Sequence, residues 1–571
     1  MLHKHSSFFS RRCIAIECLA AIVLWWSASC GAQIPDQALS NRDGWERAKT
    51  KSSRPNFLLV VVDDLGYTDL GAFGGEIGTP TLDHLALNGV RLSSFYTTPT
   101  CSPTRAALLS GVDPHLAGLG NMAELLSQNQ RGQPGYEGYL NERVVSVASL
   151  LRDAGYYTAM TGKWHLGLEP SQSPAAKGFT RSFALLHGGA GHFDDTGLRP
   201  AEPKALYREG EELARWPTGR YSSDFYTERL IDYLGENEAS GKPFFAYLAF
   251  TAVHWPLQAP EELINKYRGR YDEGWDTLRE QRMRGMIQAG LLSAPVDTTP
   301  PPGYRAWETL DVAERATEAR KMEVFAAMLH SVDQNMQRLV TYLRDSGQLD
   351  NTIIIFLSDN GAEGTPLERS PMLDGWIDRF NNDLENMGRG DSYIFLGPNW
   401  AYATTAPGKY YKSHVFEGGI HVPAFIWRQG MAPQGAIASA PATVMDISPT
   451  LLELAGVPYP ESYRGRQLES LRGASLLPVI EEPVALVHAV DTVFAVELFG
   501  RRAVRQGKWK LCLTPPPLGK GEWELYDLER DRGETTDVSA SHPDVVTRLE
   551  GAWQQYSKEV GVILPEGPSG Y

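Results

Sequence analysis

Residues 57–64 read Phe57-Leu58-Leu59-Val60-Val61-Val62-Asp63-Asp64. An unbroken apolar, β-branched-rich run of strand length has no polar alternation, so both of its faces must be covered. That is the signature of a buried parallel strand with helices above and below its sheet. Two more runs share this texture. Thr352–Leu357 leads into Ser358-Asp359-Asn360-Gly361, and Phe244–Phe250 leads towards Val253-His254-Trp255-Pro256. Helical patterns lie between the strands. Thr79 can cap a helix with Pro80 at its first position, Leu82, Leu85 and Ala86 on one face, and Gly89 as its stop. Val90–Tyr96 reads as a second strand, Val144–Ala154 as a helix ending at Gly155, and Thr443–Ala455 as another helix. Met322–Leu343 is a long helix with Phe325, Leu329, Val332, Met336, Leu339 and Leu343 on one side. Strand–helix alternation of this kind predicts an α/β fold.

Working outward, two long insertions at 256–320 and 362–410 interrupt the pattern, as lids and rims of active sites do. From about residue 485 the texture changes to short strands, Val493–Phe499, Arg502–Arg505, Lys508–Leu513 and Trp523–Leu528, closed by an amphipathic helix Pro543–Lys558. The domain expectation is a leader over 1–32, a linker over 33–53, a catalytic domain over 54–484 and a smaller four-stranded α+β subdomain over 485–571. The leader has the order of an export signal: Arg11 and Arg12, then apolar Leu19–Trp26, then Ser27, Ala28 and Ser29. That stretch is short for a membrane span. A lipid anchor at Cys30 is a weaker alternative. The chain is therefore expected to be exported, to a bacterial periplasm or the extracellular space.

Across 571 residues, 69 Asp and Glu outweigh 54 Lys and Arg, a net charge of −15. That surface argues against nucleic acid as a partner, and any anionic substrate has to be held by local positive groups. With 42% hydrophobic and 22% charged residues, the composition is that of an ordinary globular protein. Of the five cysteines, Cys13, Cys18 and Cys30 fall in the leader, and only Cys101 and Cys512 fall in the body. Two distant cysteines make no disulfide framework in an exported protein, so Cys101 needs another reason.

The chemistry-bearing residues cluster at strand ends. One Asp-Asp pair is ordinarily a solvated acidic turn. Here Asp63-Asp64 and Asp359-Asn360 each follow a buried-type strand, and in open α/β sheets sites lie beyond the carboxyl ends of the strands. Carboxylates with an amide oxygen are ligands for a hard cation such as Ca²⁺ or Mg²⁺. In Cys101-Ser102-Pro103-Thr104-Arg105, Pro103 sits where a first helical residue belongs and Ala106-Ala107-Leu108-Leu109 continues the helix to Gly111. This places Cys101 at a helix N-terminus, where anions are favoured. Arg105 opposes the dipole there and should have a separate partner. Lys163 and His165 in Gly162-Lys163-Trp164-His165-Leu166-Gly167, His254 after its strand, and Lys412 ahead of Glu417-Gly418-Gly419 complete the set.

Taken together, these motifs resemble the type I sulfatases of the alkaline-phosphatase superfamily. Cys101–Arg105 is similar to the family's Cys/Ser-x-Pro-x-Arg signature and Gly162–Gly167 to its second signature, while Phe57–Asp64, His254 and Ser358–Gly361 match in order. Gly71-Ala72-Phe73-Gly74-Gly75, Pro134-Gly135-Tyr136-Glu137-Gly138 and Ser392-Tyr393 resemble the Pseudomonas-type bacterial arylsulfatases. The resemblance runs from about Arg54 to the C-terminus. It implies a mixed central sheet flanked by helices and an arylsulfatase-type hydrolase of small organic sulfate esters. A separate maturation enzyme would oxidise Cys101 to Cα-formylglycine, whose hydrate is the nucleophile. Asp63, Asp64, Asp359 and Asn360, together with residue 101, would hold the metal, usually Ca²⁺. Arg105 and Lys163 would orient the diol, His165 would take a proton in the elimination step, and His254 and Lys412 would bind the sulfate and assist the leaving oxygen. Two alternatives remain open on the motifs alone: a phosphonate or phosphate ester hydrolase of the same superfamily, and a silent binding protein on this scaffold. One departure stands out. Gly418-Gly419-Ile420-His421-Val422-Pro423 has His421 where the family commonly has arginine.

Overall fold

The computed structural model describes residues 54–431 and 434–567. The expected leader and linker, with Cys13, Cys18 and Cys30, lie outside the described residues.

The strand β1 (Asn56–Val62) is buried along its whole length and sits near the middle of a ten-stranded sheet. The other strands of that sheet are β2 (Val90–Leu92), β3 (Tyr157–Lys163), β4 (Arg181–Leu185), β5 (Tyr207–Glu209), β6 (Glu212–Ala214), β7 (Phe244–Ala249), β8 (Thr352–Ser358), β9 (Ala424–Trp427) and β10 (Ala436–Ala438). Their spatial order is β10-β2-β9-β8-β1-β7-β3-β4-β5-β6. The central five, β8-β1-β7-β3-β4, are all parallel, whereas β9 and the β5–β6 hairpin run antiparallel to their neighbours.

Alternate residues of the central strands feed two cores. Leu58, Val60 and Val62 of β1, Ala246 and Leu248 of β7, and Ile354 and Phe356 of β8 face one. Phe57, Leu59, Val61, Phe245, Tyr247, Ile353 and Ile355 face the other. This is why the runs are apolar at every position rather than every second one. The first core is covered by helices α1 (Pro80–Leu87), α4 (Ser222–Glu238), α5 (Glu261–Tyr267), α6 (Gly274–Gln288) and α7 (Val312–Asp345). The second is covered by α2 (Cys101–Ser110), α3 (Val147–Asp153) and α8 (Ile447–Ala455). The result is the expected mixed α/β architecture.

A separate antiparallel sheet follows, β11 (Val493–Leu498), β12 (Arg501–Gln506), β13 (Trp509–Leu513) and β14 (Trp523–Asp527), in sequential order. One face packs on α9 (Pro543–Val560) through Val504, Leu511, Leu525, Leu549 and Trp553. The other face meets Val415 and Phe416 of the larger body through Ala503, Cys512 and Tyr526. Cys512 is thus a buried apolar residue of the small sheet.

Several elements differ from their sequence reading: the expected helix Thr443–Ala455 begins at Ile447, because Thr443 pairs in a strand and Val444–Asp446 form a tighter helical turn, and three others follow. The expected strand Val90–Tyr96 is two: Ser93 donates to Ala438 O as β2 ends, and Phe95–Tyr96 then pairs with Ala442–Thr443 in another sheet. Helix α3 starts three residues later than expected, because Ser146 accepts from Ser149 N and caps it there. Helix α7 starts at Val312 rather than Met322, where Asp311 and Glu314 form a capping box. Val312 and Ala313 are exposed and residues 314–318 only half-buried, so the buried face begins at Ala319.

Candidate active site

The carboxyl ends of β1, β7, β8 and β3 and the N-terminus of α2 converge on one buried cluster. Asp63 and Asp64 leave β1, Asp359 and Asn360 leave β8, Lys163 ends β3, and Cys101 opens α2. All six are essentially without solvent exposure. Cys101 Sγ lies 3.4 Å from Asp63 Oδ1, and the ligand atoms of Asp63, Asp64, Cys101 and Asp359 lie within 4.8 Å of one another.

Three cations hold these carboxylates together. Lys163 Nζ is 2.6 Å from Asp63 Oδ2. Arg105 donates to Asp359 Oδ2 from Nη2 at 2.7 Å and from Nε at 3.0 Å, and its Nη2 is 3.8 Å from Asp63. The helix starts at Cys101, two residues before the expected first position Pro103, so Arg105 is its fifth residue, and these carboxylates are the separate partner expected for it. Lys412 Nζ sits 2.8 Å from Asp64 and 3.2 Å from Glu363. Lysine and arginine carry the charge through aliphatic stems, so full burial of each is tolerable only with these close partners.

Burial shapes the titration of the cluster. It pushes Asp64 up to about 7, against the pull of Lys412. It would raise Asp359 too, but Arg105, Lys163 and Lys412 outweigh it and hold that carboxyl below its usual range. Burial, then Asp359 and Asp63, push the Cys101 thiol well up. An anion at residue 101 therefore needs an added cation. Burial, then Lys412 and Lys163, drive His254 well down, so its ring is neutral. Its Nδ1 lies 2.6 Å from Trp255 O, which makes Nδ1 the donor and leaves the Nε2 lone pair facing Asp64 Oδ2 at 3.7 Å.

The residues fit a hard cation. The donors are carboxylate oxygens with one amide, and Asn360 Oδ1 is buried without a hydrogen-bond partner while its Nδ2 donates to Asp64 at 2.6 Å. An orphaned amide oxygen beside three carboxylates is what a cation ligand looks like before the cation is counted.

His165 stands slightly apart. It lies two residues beyond β3 with a left-handed backbone (φ 56°), and its Nε2 is 3.0 Å from Glu124 Oε1. It shares a cavity of about 220 Å³ with Ser102, the residue after Cys101. The structure thus joins nine of the ten sequence-predicted residues by direct contacts and sets His165 on the cavity wall.

Two partners escaped the sequence reading. Glu363 follows Asp359 by four residues, a spacing that could have flagged it; Glu124 carries no local signal at all. His421 is remote from this chemistry: it stacks on Tyr67 with ring centroids 4.0 Å apart, meets Ser93 O at 3.0 Å, and burial lowers it to about 4. It is a packing residue.

Comparison with known proteins agrees with this geometry. The family model described as Sulfatase matches residues 55–457. The chain is 46% identical over 535 residues to an uncharacterized sulfatase of Schizosaccharomyces pombe, spanning 90% of this chain and 95% of that protein. It is 36% identical over 436 residues to an arylsulfatase of Klebsiella aerogenes, spanning 75% of this chain and 92% of that one. Among solved structures, that of Ps i-CgsB in complex with k-i-k-neocarrahexaose superposes with a TM-score of 0.64 at 25% identity, over 88% of this chain and 93% of that chain. With the family model matching residues 55–457 and two relatives at 46% and 36% identity over most of their own lengths, this chain belongs to the sulfatase family, the sulfuric ester hydrolases of the alkaline-phosphatase superfamily.

Proposed function

We propose that this chain hydrolyses compact, aryl-type sulfate monoesters through formylglycine at position 101 and one divalent cation, Ca²⁺ in preference to Mg²⁺. The observation that carries the reading is the charge balance of the cluster. With all four carboxylates ionised, as a bound cation would keep even Asp64, which burial otherwise pushes up to about 7, Asp63, Asp64, Asp359 and Glu363 oppose Arg105, Lys163 and Lys412, with His254 neutral, which leaves one negative charge. A divalent cation turns that into one positive charge, the complement of a sulfate monoester anion. A phosphate monoester, with a second charge near neutral pH, is matched less well.

The oxidised, hydrated residue 101 would supply the nucleophilic oxygen, and a bound divalent cation would supply Lewis-acid chemistry towards it and the ester. The chain's own residues do the rest. Asp63, Asp64, Asp359 and Asn360 hold the cation. Arg105 and Lys163 pin those carboxylates and orient the hydroxyls of residue 101. Lys412 donates to the sulfate, and His254 Nε2, a lone pair in the neutral ring, has to take up a proton before it can give one to the leaving oxygen. His165 takes the proton of the second hydroxyl as the bond to sulfate breaks and the aldehyde returns. Leu168 and Leu186 line the cavity beside His165, which suits a compact apolar leaving group. The similarity to Pseudomonas-type arylsulfatases and the leader-like N-terminus complete the proposal: an exported enzyme that depends on a maturation partner.

The test uses protein purified from its native host. The tryptic peptide Leu92–Arg105 should carry an aldehyde mass at position 101. Calcium-loaded protein should cleave an aryl sulfate at least about 100-fold faster than the matched aryl phosphate, and Cys101→Ala should abolish turnover with the fold intact. A faster phosphate ester would move the reading to the phosphate and phosphonate hydrolases. An unmodified thiol and no turnover would leave a binding protein on this scaffold.

A further inference from the structure

We infer that Glu124 is a positioning residue for His165, holding the imidazole in the tautomer protonated at Nε2 and thereby keeping Nδ1 free as the proton acceptor. The inference rests on the reading of His165 as that acceptor.

Four observations support it. His165 Nε2 lies 3.0 Å from Glu124 Oε1. An ionised carboxylate only accepts hydrogen bonds, so the nitrogen it faces must carry the proton. The other ring nitrogen, Nδ1, is buried and has no hydrogen-bond partner. In a neutral ring protonated at Nε2, that orphan atom is a lone pair, so a buried acceptor is left waiting for a donor. Glu124 also stays an acceptor once the ring has taken a second proton: burial pushes its carboxyl up, but the charge and hydrogen bond of a protonated His165, and then Arg199, outweigh burial and bring it down to about 2. Finally, the pair is clamped. A Cβ on Gly188 would lie 2.8 Å from His165 Cε1, 3.0 Å from Nε2 and 3.3 Å from Glu124 Oε1, so only glycine leaves room for ring and carboxylate side by side. The left-handed backbone of His165 adds strain that a non-glycine residue keeps only where its surroundings impose it.

The remaining charged groups at this spot are His187, Arg199 and Glu202. Arg199 pairs with Glu202, and His187 is lowered by burial and so is neutral. Neither competes with Glu124 for the His165 proton at Nε2. In the elimination step the balance is simple. The second hydroxyl on residue 101 gives its proton to Nδ1, its oxygen forms the carbonyl, the carbon–oxygen bond to sulfate breaks, and sulfate leaves with that electron pair. A ring protonated at Nδ1 would present a donor where an acceptor is needed. The arrangement is the carboxylate–imidazole pairing that fixes tautomers in other hydrolytic sites, here reached by a glutamate distant in sequence.

The decisive measurement has two readouts. Protein labelled with ¹⁵N-histidine should show His165 with a protonated Nε2 and an unprotonated Nδ1. In Glu124→Ala that signature should collapse to a tautomer mixture, and Glu124→Gln, which keeps an acceptor without the charge, should lie between. In matured, metal-loaded enzyme, Glu124→Ala should lower kcat by about 10- to 100-fold with KM little changed, the loss typical of removing an orienting partner. Three results would overturn the inference: a His165 protonated at Nδ1 in the unsubstituted chain, a tautomer pattern indifferent to Glu124, or a raised KM with kcat intact, which would make Glu124 a substrate contact. The nuclear magnetic resonance readout needs no turnover. It therefore decides the pairing even if the sulfatase reading fails, and that failure shows separately as an inert Glu124-intact enzyme.

Discussion

Arg105 is the residue whose environment says most about the site. It is fully buried, and its guanidinium holds Asp359 through two nitrogens while reaching Asp63 and the Lys163 carbonyl. Removing one partner of a buried ion network leaves uncompensated charge, which costs about 3–5 kcal/mol. Arg105→Ala should therefore lower the unfolding free energy by that amount in chemical denaturation, and added Ca²⁺ should recover part of it by neutralising the same carboxylates. An unfolding midpoint equal to that of the unsubstituted chain would show that the network is not structural. At this scale much was legible beforehand. Asp63, Asp64, Asp359 and Asn360 advertise themselves by ending apolar strands, and Arg105 by sitting against a helix dipole. Glu124 does not, because its pairing with His165 is made across 41 residues, from the short helical turn Ala123–Leu125 to the loop after β3.

At the scale of elements, the site exists because parallel strands deliver their carboxyl ends to one edge. Gly162, next to Lys163, shows how tight that delivery is. It sits in β3 at φ 107°, opposite Ala249 of β7, and a Cβ there would fall 1.8 Å from Ala249 O. Both the backbone conformation and the space exclude a side chain. Gly162→Ala should destabilise by about 3 kcal/mol or more and displace Lys163 from Asp63, so that thermal stability and turnover fall together. Retention of both would mean that β3 and β7 can separate without harm to the site. The buried strands were readable because every residue in them is apolar. The break after β2 was not, since it comes where the pairing with β10 ends at Ala438, far along the chain.

For the whole molecule, the question is how the small sheet is joined to the large body. Part of the answer is His115, buried between Asp113 of the body at 3.0 Å and Glu497 of β11 at 3.3 Å. Burial alone would lower this imidazole, but its hydrogen bonds to Asp113 and Glu497 raise it to about 9. A raised folded-state value means that the charged form stabilises the fold. The contribution is complete below the ordinary histidine value of about 6.5, amounts to about 3 kcal/mol, and is lost as pH rises through about 9. Unfolding free energies measured from pH 6 to 10 should show this decline, and His115→Gln should flatten it. An equal slope in the variant would assign the loss to other groups.

By itself, the sequence determined the layer architecture and most of the candidate cation site. Full apolar strands require two covered faces, and oxygen donors at their ends have few uses other than binding a hard cation. Only the tertiary structure decided which acid orients which base, where the insertions lie, and how the small sheet is fastened. Those contacts join residues such as Glu124 to His165 and His115 to Glu497 that share no periodicity, so nothing in their own segments encodes the partner.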